Sequence, residues 1–219
     1  MVDKEFRKSE AVTYGWEAMK KNLGFFLIFQ LVVFALYALV QSLTDSAKEG
    51  GFPSGPADLI RLVVYFSVTM VWIWTALRIH DAKDHGFADL FSNGRRILNY
   101  LAVEFIYSCI VFAGLILLVV PAFIWGIQFG YARFAVLDEG LGPIEALHRS
   151  SSLTRGGRNN LFLFGLLLFG INMLGLLALF VGVFATLPTT VVAMAWAYRE
   201  LQQRTAQEAL APGVVGATE

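Results

Sequence analysis

The amino-acid sequence predicts an all-α polytopic membrane protein with six transmembrane helices arranged as three hairpins, each preceded by a short amphipathic cytoplasmic helix. Composition is the first indication: 57% of the 219 residues are hydrophobic and 16% are charged, whereas soluble domains carry about 25% charged residues. The second is an apolar stretch from Ile97 to Ala132 that contains one charged residue, Glu104. The third is the unequal distribution of lysine and arginine between alternate loops.

The apolar stretch predicts a tight transmembrane hairpin. As one α-helix, its 36 residues would extend about 54 Å, but the hydrocarbon core of a bilayer is roughly 30 Å thick. The stretch therefore suits two crossings. Pro121 follows its midpoint, and proline is tolerated in the first turn of a helix. We expect the two helices at 99–117 and 120–137.

The same reasoning gives a single membrane domain over residues 1–201. Its spans are expected at about 23–43, 59–79, 99–117, 120–137, 161–182 and 183–200. Arg61 lies near the outer end of the second span, where its side chain can reach the headgroups. Residues 202–219 are polar and then rich in alanine and glycine, so we expect a disordered cytoplasmic tail.

An amphipathic helix is expected before the first span. Val12, Trp16 and Met19 recur at helical spacing beside Lys20 and Lys21. Such a helix can lie in the membrane interface, with aromatic rings at headgroup depth. It can equally pack on the cytoplasmic ends of the other helices, and the sequence leaves both placements open.

The basic residues predict the orientation of the chain. Fifteen of the 17 lysines and arginines fall in the terminal segments and the even-numbered loops, and only Lys48 and Arg61 fall on the other side. Because basic residues accumulate in cytoplasmic loops, both termini are expected in the cytoplasm.

The two later hairpins share a repeat of small residues. In each, a proline is followed by small residues at offsets of one, five and nine: Ala122, Gly126 and Gly130 after Pro121, and Thr189, Ala193 and Ala197 after Pro188. Small residues four apart allow close approach of helix backbones. These residues are predicted to form helix-packing faces, and the hairpins to be degenerate repeats.

Several motifs in the second half of the chain carry a family resemblance. They are Asp138-Glu139-Gly140, Glu145-Ala146-Leu147, Ser150, Leu153-Thr154, Gly156-Gly157, Pro188 and Tyr198. The pattern resembles the membrane domain attached to some bacterial glycerophosphoryl diester phosphodiesterases and its stand-alone relatives, over residues 100–201. The resemblance implies a six-helix protein of the bacterial inner (plasma) membrane. It does not imply the hydrolase, which in that family is a separate barrel of about 250 residues.

Among the polar residues of the predicted spans we single out Gln30, Glu104, Gln128, Arg133 and Asn172. Antiparallel pairing in the central hairpin places Glu104 opposite Arg133, and such a pair would offset the cost of two buried charges. The alternative makes Glu104 a proton-carrying group in a transporter. Asparagine and glutamine in spans commonly bond neighbouring helices.

No catalytic or metal-binding set stands out in the sequence. The chain has no glycine-rich phosphate loop of the GxxxxGK[ST] type, and His148 with Ser150–Ser152 forms a polar helix face. His80, Asp81, Asp84 and His85 could share helix faces as metal ligands, but a solvated turn is the preferred interpretation. We therefore expect no enzyme, cofactor or metal.

A lipid-headgroup site is expected where the fifth span begins. The candidate residues are Arg149, Arg155, Arg158, Asn159 and Asn160. The first backbone N–H groups of a helix are free to bind an anion, but ordinary positive-inside charge also explains the arginines and is the simpler interpretation.

The sequence thus predicts a non-enzymatic membrane protein that interacts with lipid headgroups or a protein partner at its cytoplasmic face. Membrane lipids are the expected partners, with another protein or a second copy of the chain as further candidates. The formal net charge of zero indicates no nucleic-acid partner. The alternatives are a transporter or channel for a small or amphiphilic solute and, third, an intramembrane enzyme.

Overall fold

The computed structural model describes residues 7–51, 53–82, 90, 93–117, 119–178 and 182–210, without the side chains of residues 119, 120, 208 and 209. Within these ranges the secondary structure is helical and contains no strand. The helices are α1 (Lys8–Lys21), α2 (Leu23–Glu49), α3 (Ser54–His80), α4 (Gly94–Leu117), α5 (Val119–Phe129), α6 (Ala132–Glu139), α7 (Pro143–Leu153), α8 (Arg158–Leu177) and α9 (Val183–Leu210).

Four of the described helices are long and apolar enough to cross a membrane. They are α2, α3, α4 and α8. The prediction of an all-α membrane protein is confirmed at this level. Helix α8 ends at Leu177, before the expected end of the fifth span at residue 182. The Ala178 N–H still bonds the Leu174 carbonyl, but its ψ of 50° is no longer helical.

The expected fourth span, 120–137, is not one continuous helix, and this corrects the sequence-based boundaries. Helix α5 ends at Phe129 and α6 begins at Ala132. The break is explained by Ser150 of α7, whose Oγ donates to the Gln128 carbonyl at 2.7 Å and accepts from the Tyr131 N–H at 3.2 Å. Because a side chain supplies these bonds, the backbone need not continue the helical pattern there.

The C-terminal helix is longer than expected. Helix α9 includes the predicted span 183–200 and continues to Leu210, so residues 202–210 are helical and not disordered. The Arg204 side chain reaches back to Glu200 at 3.3 Å, and the Thr205 hydroxyl bonds the Leu201 carbonyl. Both contacts join residues four apart, which supports the additional turns.

Helices α2 and α3 form an antiparallel hairpin. The Phe26 and Trp72 rings stack with centroids 5.8 Å apart at one end. At the other end, Lys48 pairs with Asp58 at 2.9 Å. Arg61, expected to extend toward headgroups, pairs with acidic side chains and donates to the Thr44 hydroxyl at 2.8 Å.

The later hairpins pack through small residues. A Cβ added to Gly114 of α4 would lie 2.7 Å from the Ala122 Cα in α5, so these helices touch backbone to backbone. The Tyr107 hydroxyl donates to the Gly126 carbonyl at 3.3 Å. Between α8 and α9, a Cβ at Gly175 would meet the Thr186 side chain at 2.6 Å.

Helix α1 packs against α9. A Cβ at Gly15 would lie 2.4 Å from the Thr189 carbonyl oxygen and 3.2 Å from the Ala193 Cβ. Thr189, Ala193 and Ala197 are all buried. Helix α1 therefore packs closely on another helix, and the Trp16 side chain is left exposed.

Candidate functional site

A cluster of charged and polar side chains connects the C-terminal ends of α3 and α6 with α7 and α9. We call it the Arg199 cluster; it consists of Asp81, Asp138, Glu139, Arg149, Tyr198, Arg199 and Gln202. Asp81 directly follows α3, and the acidic pair Asp138-Glu139 ends α6. Three segments far apart in the sequence therefore meet at one end of the helix bundle.

Arg199 is the centre of this cluster. Its guanidinium donates to both Asp138 oxygens, at 2.6 and 2.7 Å, and to both Asp81 oxygens, at 3.0 and 2.6 Å. The side chain is 18% exposed. Bidentate arginine–carboxylate bonds are short and directional, so Arg199 fixes the ends of α3 and α6 relative to α9.

Glu139 extends the cluster to α7. It accepts from the Tyr198 hydroxyl at 3.0 Å, from Gln202 Nε2 at 2.8 Å and from Arg149 Nε at 3.0 Å. The carboxylates of the cluster are thus bound by donors from α7 and α9. This arrangement stabilises helix positions and leaves no carboxylate pair poised for acid–base catalysis among these residues.

Of the four metal-ligand candidates in the sequence, His80 and Asp81 lie within the described residues. No group of three or more His, Cys, Asp and Glu side chains suited to a metal occurs among the described residues. His80 contacts Asp81 at 3.4 Å and lies 5.3 Å from the Tyr14 ring. Asp84 and His85 lie outside the described residues.

Burial raises the pKa of the Tyr14 phenol, and the Asp81 carboxylate raises this pKa further. The phenol therefore stays neutral.

A polar cavity of about 210 Å³ lies beside the Arg199 cluster; we call it the Trp74 pocket. Its lining includes Trp74, Arg78, Asp81, Arg96, Asp138 and Arg199. The guanidinium carbons of Arg78 and Arg96 lie 4.5 and 5.7 Å from the Trp74 ring centroid. Among the described residues, neither Trp74 Nε1 nor Arg96 Nε, both buried, has a hydrogen-bond partner. Sequence reasoning missed this pocket because its residues come from four separate elements.

One large cavity is apolar. It measures about 590 Å³ and lies between α2, α3, α6 and α9, lined mainly by aliphatic and aromatic side chains. Of the polar side chains that line this cavity, Gln30 and Arg133 can form the most hydrogen bonds. A second cavity, of about 300 Å³, is lined by residues of α4, α5, α6, α8 and α9, and Arg133 borders this one too.

Glu104 and Arg133 contact each other between these cavities. Arg133 Nη1 lies 3.3 Å from Glu104 Oε1, and the Glu104 side chain is only 4% exposed. Arg133 also lies 4.9 Å from the Tyr107 ring centroid. The pairing expected from antiparallel helices is present, although α6 begins one residue before Arg133 instead of continuing from α5.

The other polar residues of the predicted spans bond between helices. Gln128 Nε2 donates to the Ser151 hydroxyl of α7 at 3.0 Å. Asn172 Nδ2 donates to the Thr190 hydroxyl of α9 at 2.7 Å. Gln30 differs, because its Oε1 is buried without a partner among the described residues.

The five residues expected to bind a lipid headgroup are not equivalent in the structure. Arg149 is bonded to Glu139. Arg155, Arg158 and Asn159 are exposed near the start of α8, and Asn160 is half-buried. The candidates that can still contact a headgroup therefore lie in the turn between α7 and α8 and in the first turn of α8.

Comparison with protein-family models, curated proteins and solved structures finds no match to this chain. The resemblance to a diesterase-associated membrane domain stays a prediction.

Proposed function

We propose that this chain is a non-enzymatic integral membrane protein that binds membrane phospholipid, with the headgroup held at its cytoplasmic face. The observation that carries the proposal is the apolar cavity of about 590 Å³ between α2, α3, α6 and α9. Its lining is suited to a hydrocarbon chain, because ligand cavities of this size bind through apolar walls with few polar groups.

The proposed arrangement has six spans in a bacterial inner membrane, with both termini in the cytoplasm. The α5–α6 pair and α9 would supply the two crossings beyond α2, α3, α4 and α8. In support, α5 packs on α4 through Ala122, and α9 packs on α8 through Asn172 and Thr190. The unequal distribution of basic residues supports the orientation.

Basic side chains near α8 support the headgroup part of the proposal. Arg155 and Arg158 are exposed on either side of Gly157, which precedes α8 without a side-chain cap. The first N–H groups of that helix are therefore available to an anion, and arginine binds phosphate oxygens in a planar, bidentate manner.

Lipid retention during native mass spectrometry tests this function. We expect purified wild-type protein to retain phosphatidylglycerol in preference to phosphatidylcholine, and the Arg155→Gln/Arg158→Gln double variant to retain several-fold less. The matched control is Lys20→Gln/Lys21→Gln, which removes the same charge from exposed positions of α1. Absence of any phospholipid preference in the wild-type protein contradicts the proposal.

Transport of an amphiphilic solute is the second candidate. The observation that favours it is the position of Arg133, which borders both the 590 Å³ and the 300 Å³ cavities. A rearrangement of Arg133 could connect the two cavities. Uptake of a labelled amphiphile into proteoliposomes, absent from empty liposomes, would support this candidate.

A further inference from the structure

We infer that the apolar cavity between α2, α3, α6 and α9 selects a lipid chain that carries a hydroxyl group, and that the amide of Gln30 binds this hydroxyl. The inference deepens the proposed lipid binding by naming the chemistry of the chain, and it rests on that proposal for the presence of a lipid in the cavity. It concerns a side chain inside a candidate membrane-spanning helix, α2, whereas the proposed headgroup contacts lie near the start of α8.

Gln30 differs from the other amide side chains of the predicted spans in its hydrogen bonding. Gln128 and Asn172 each donate to a hydroxyl of another helix, at 3.0 and 2.7 Å. The Gln30 amide bonds no other described residue, and its Oε1 is buried. A polar group that is removed from water without a partner costs free energy, and glutamines in spans commonly bond neighbouring helices. The amide of Gln30 has no such structural bond and is free to bind a ligand.

The charges around the cavity favour an uncharged polar group. Among the described residues that line the cavity, Arg133 alone is charged. Its Nη1 lies 3.3 Å from Glu104 Oε1, so the charge of the guanidinium is already compensated. A charged group on the ligand would therefore add an unpaired charge inside the membrane, where such charges are costly.

A hydroxyl matches the two ends of the unbonded amide. An amide presents one acceptor oxygen and two N–H donors, and a hydroxyl both donates and accepts. It can therefore bond Gln30 through either end of the amide. An ester carbonyl only accepts, and a plain methylene chain does neither. The apolar lining on both sides of Gln30, including Val33 and Val68, suits the hydrocarbon that carries the hydroxyl.

The position of the cavity favours a ligand that comes from the bilayer. Phe34 lines the cavity and is 71% exposed, so the cavity reaches the outer surface of the helix bundle along α2. The walls formed by α2 and α3 belong to candidate membrane-spanning helices. At about 590 Å³, the volume lies within the range of about 300–1,000 Å³ that is usual for ligand cavities. A lipid chain can therefore enter sideways from the membrane.

Tryptophan fluorescence gives a direct test, because Trp72 lines the cavity and bromine atoms quench a tryptophan that they contact. The probes are a dibrominated long-chain alcohol and the matching dibrominated alkane, added to purified protein in detergent. We expect the alcohol to reach half-maximal quenching at a concentration at least fivefold lower than the alkane. Trp72→Phe keeps an aromatic ring between Phe26 and Phe29 and should remove most of the quenching, which would assign the signal to the cavity.

Replacement of the amide separates ligand binding from a structural role. Gln30→Leu keeps a side chain of similar size, and we expect the preference for the alcohol to fall below twofold while the melting temperature stays equal or rises. The matched control is Gln41→Leu on the same helix, where the glutamine bonds Asp45 at 2.8 Å, and it should keep the fivefold preference. A Gln30→Leu protein with a lower melting temperature and an unchanged preference would show that the amide is structural and would overturn the inference.

The remaining outcomes distinguish this inference from the proposed function. Equal quenching of wild-type protein by the alcohol and the alkane, or full quenching in Trp72→Phe, overturns the hydroxyl site, and it does so even if Gln30→Leu fails to fold. Preferential phosphatidylglycerol retention would then still support the proposed lipid binding. Phosphatidylglycerol with a hydroxylated acyl chain should displace the brominated alcohol better than phosphatidylglycerol with plain chains. Equal displacement by the two phospholipids, with the preference for the alcohol retained, supports the hydroxyl site but assigns it to a free long-chain alcohol.

Discussion

Arg199 contributes to the structure through both charge and shape. Five hydrogen bonds leave its guanidinium, four to carboxylate oxygens and one to the Gln202 side chain at 2.9 Å. Lysine would keep the charge but could not reproduce a planar arrangement that binds two carboxylates at once. The residue was visible in the sequence only as a basic side chain closing a helix, because its partner Asp81 lies 118 positions away.

Replacement of Arg199 should therefore destabilise the protein. Arg199→Gln removes the guanidinium that joins two partly buried carboxylates, and we expect a loss of about 3 kcal/mol in the free energy of unfolding. The loss in Arg199→Lys should be smaller than in Arg199→Gln. The matched control is Arg204→Gln on the same helix, which breaks a contact between residues four apart and should cost about 0.5 kcal/mol. Thermal unfolding in detergent measures both, and equal effects would exclude a special role for Arg199.

The contact between Glu104 and Arg133 gives a second prediction at the scale of residues. Each single variant, Glu104→Gln or Arg133→Gln, leaves one buried charge unpaired and should cost about 3 kcal/mol. The double variant should recover much of the loss, because neither charge remains. A double-variant cycle of melting temperatures measures the coupling. A fully stable Glu104→Gln protein that has lost solute uptake would instead favour transport.

At the scale of the helices, the close contact between α1 and α9 depends on Gly15. A methyl group there would meet the Thr189 carbonyl, so we expect Gly15→Ala to destabilise the protein by about 1–3 kcal/mol, the usual cost of overpacking. Gly24→Ala is the matched control. No atom lies within 4 Å of the added Cβ, and alanine favours a helix over glycine by up to about 1 kcal/mol. Melting temperatures should therefore move in opposite directions, and a shared direction contradicts the proposed contact.

The helices also show how far sequence reasoning extends. Long apolar segments located α2, α3, α4 and α8, because hydropathy and length are local properties. The break at Gly130–Tyr131 could not be located in this way, since it depends on Ser150 of another helix. The pairing of Glu104 with Arg133 was accessible because a tight hairpin fixes which residues face each other. The Trp74 pocket was not, since four elements must first come together.

At the scale of the whole molecule, labelling from outside intact cells tests the proposed orientation. Ser46 is exposed in the segment expected outside. Ser150 is buried, so the exposed neighbour Ser152 is the better cytoplasmic position. In a Cys109→Ala background, we expect an impermeant thiol reagent to label Ser46→Cys and to leave Ser152→Cys unlabelled until the cells are opened. The reverse pattern would invert the proposed topology.

The separation between Asp81 and Arg199 also has a consequence for biosynthesis. At a translation rate of about 5–20 residues per second, the 118 positions between them take about 6–24 s to synthesise. Throughout that interval the end of α3 exists without the arginine that binds it, and for the last 61 positions the same is true of the end of α6. Nascent chains halted before residue 199 should therefore be more susceptible to membrane proteases than the control chains. The control chains carry the complete sequence followed by a linker of a few tens of residues and are halted within that linker.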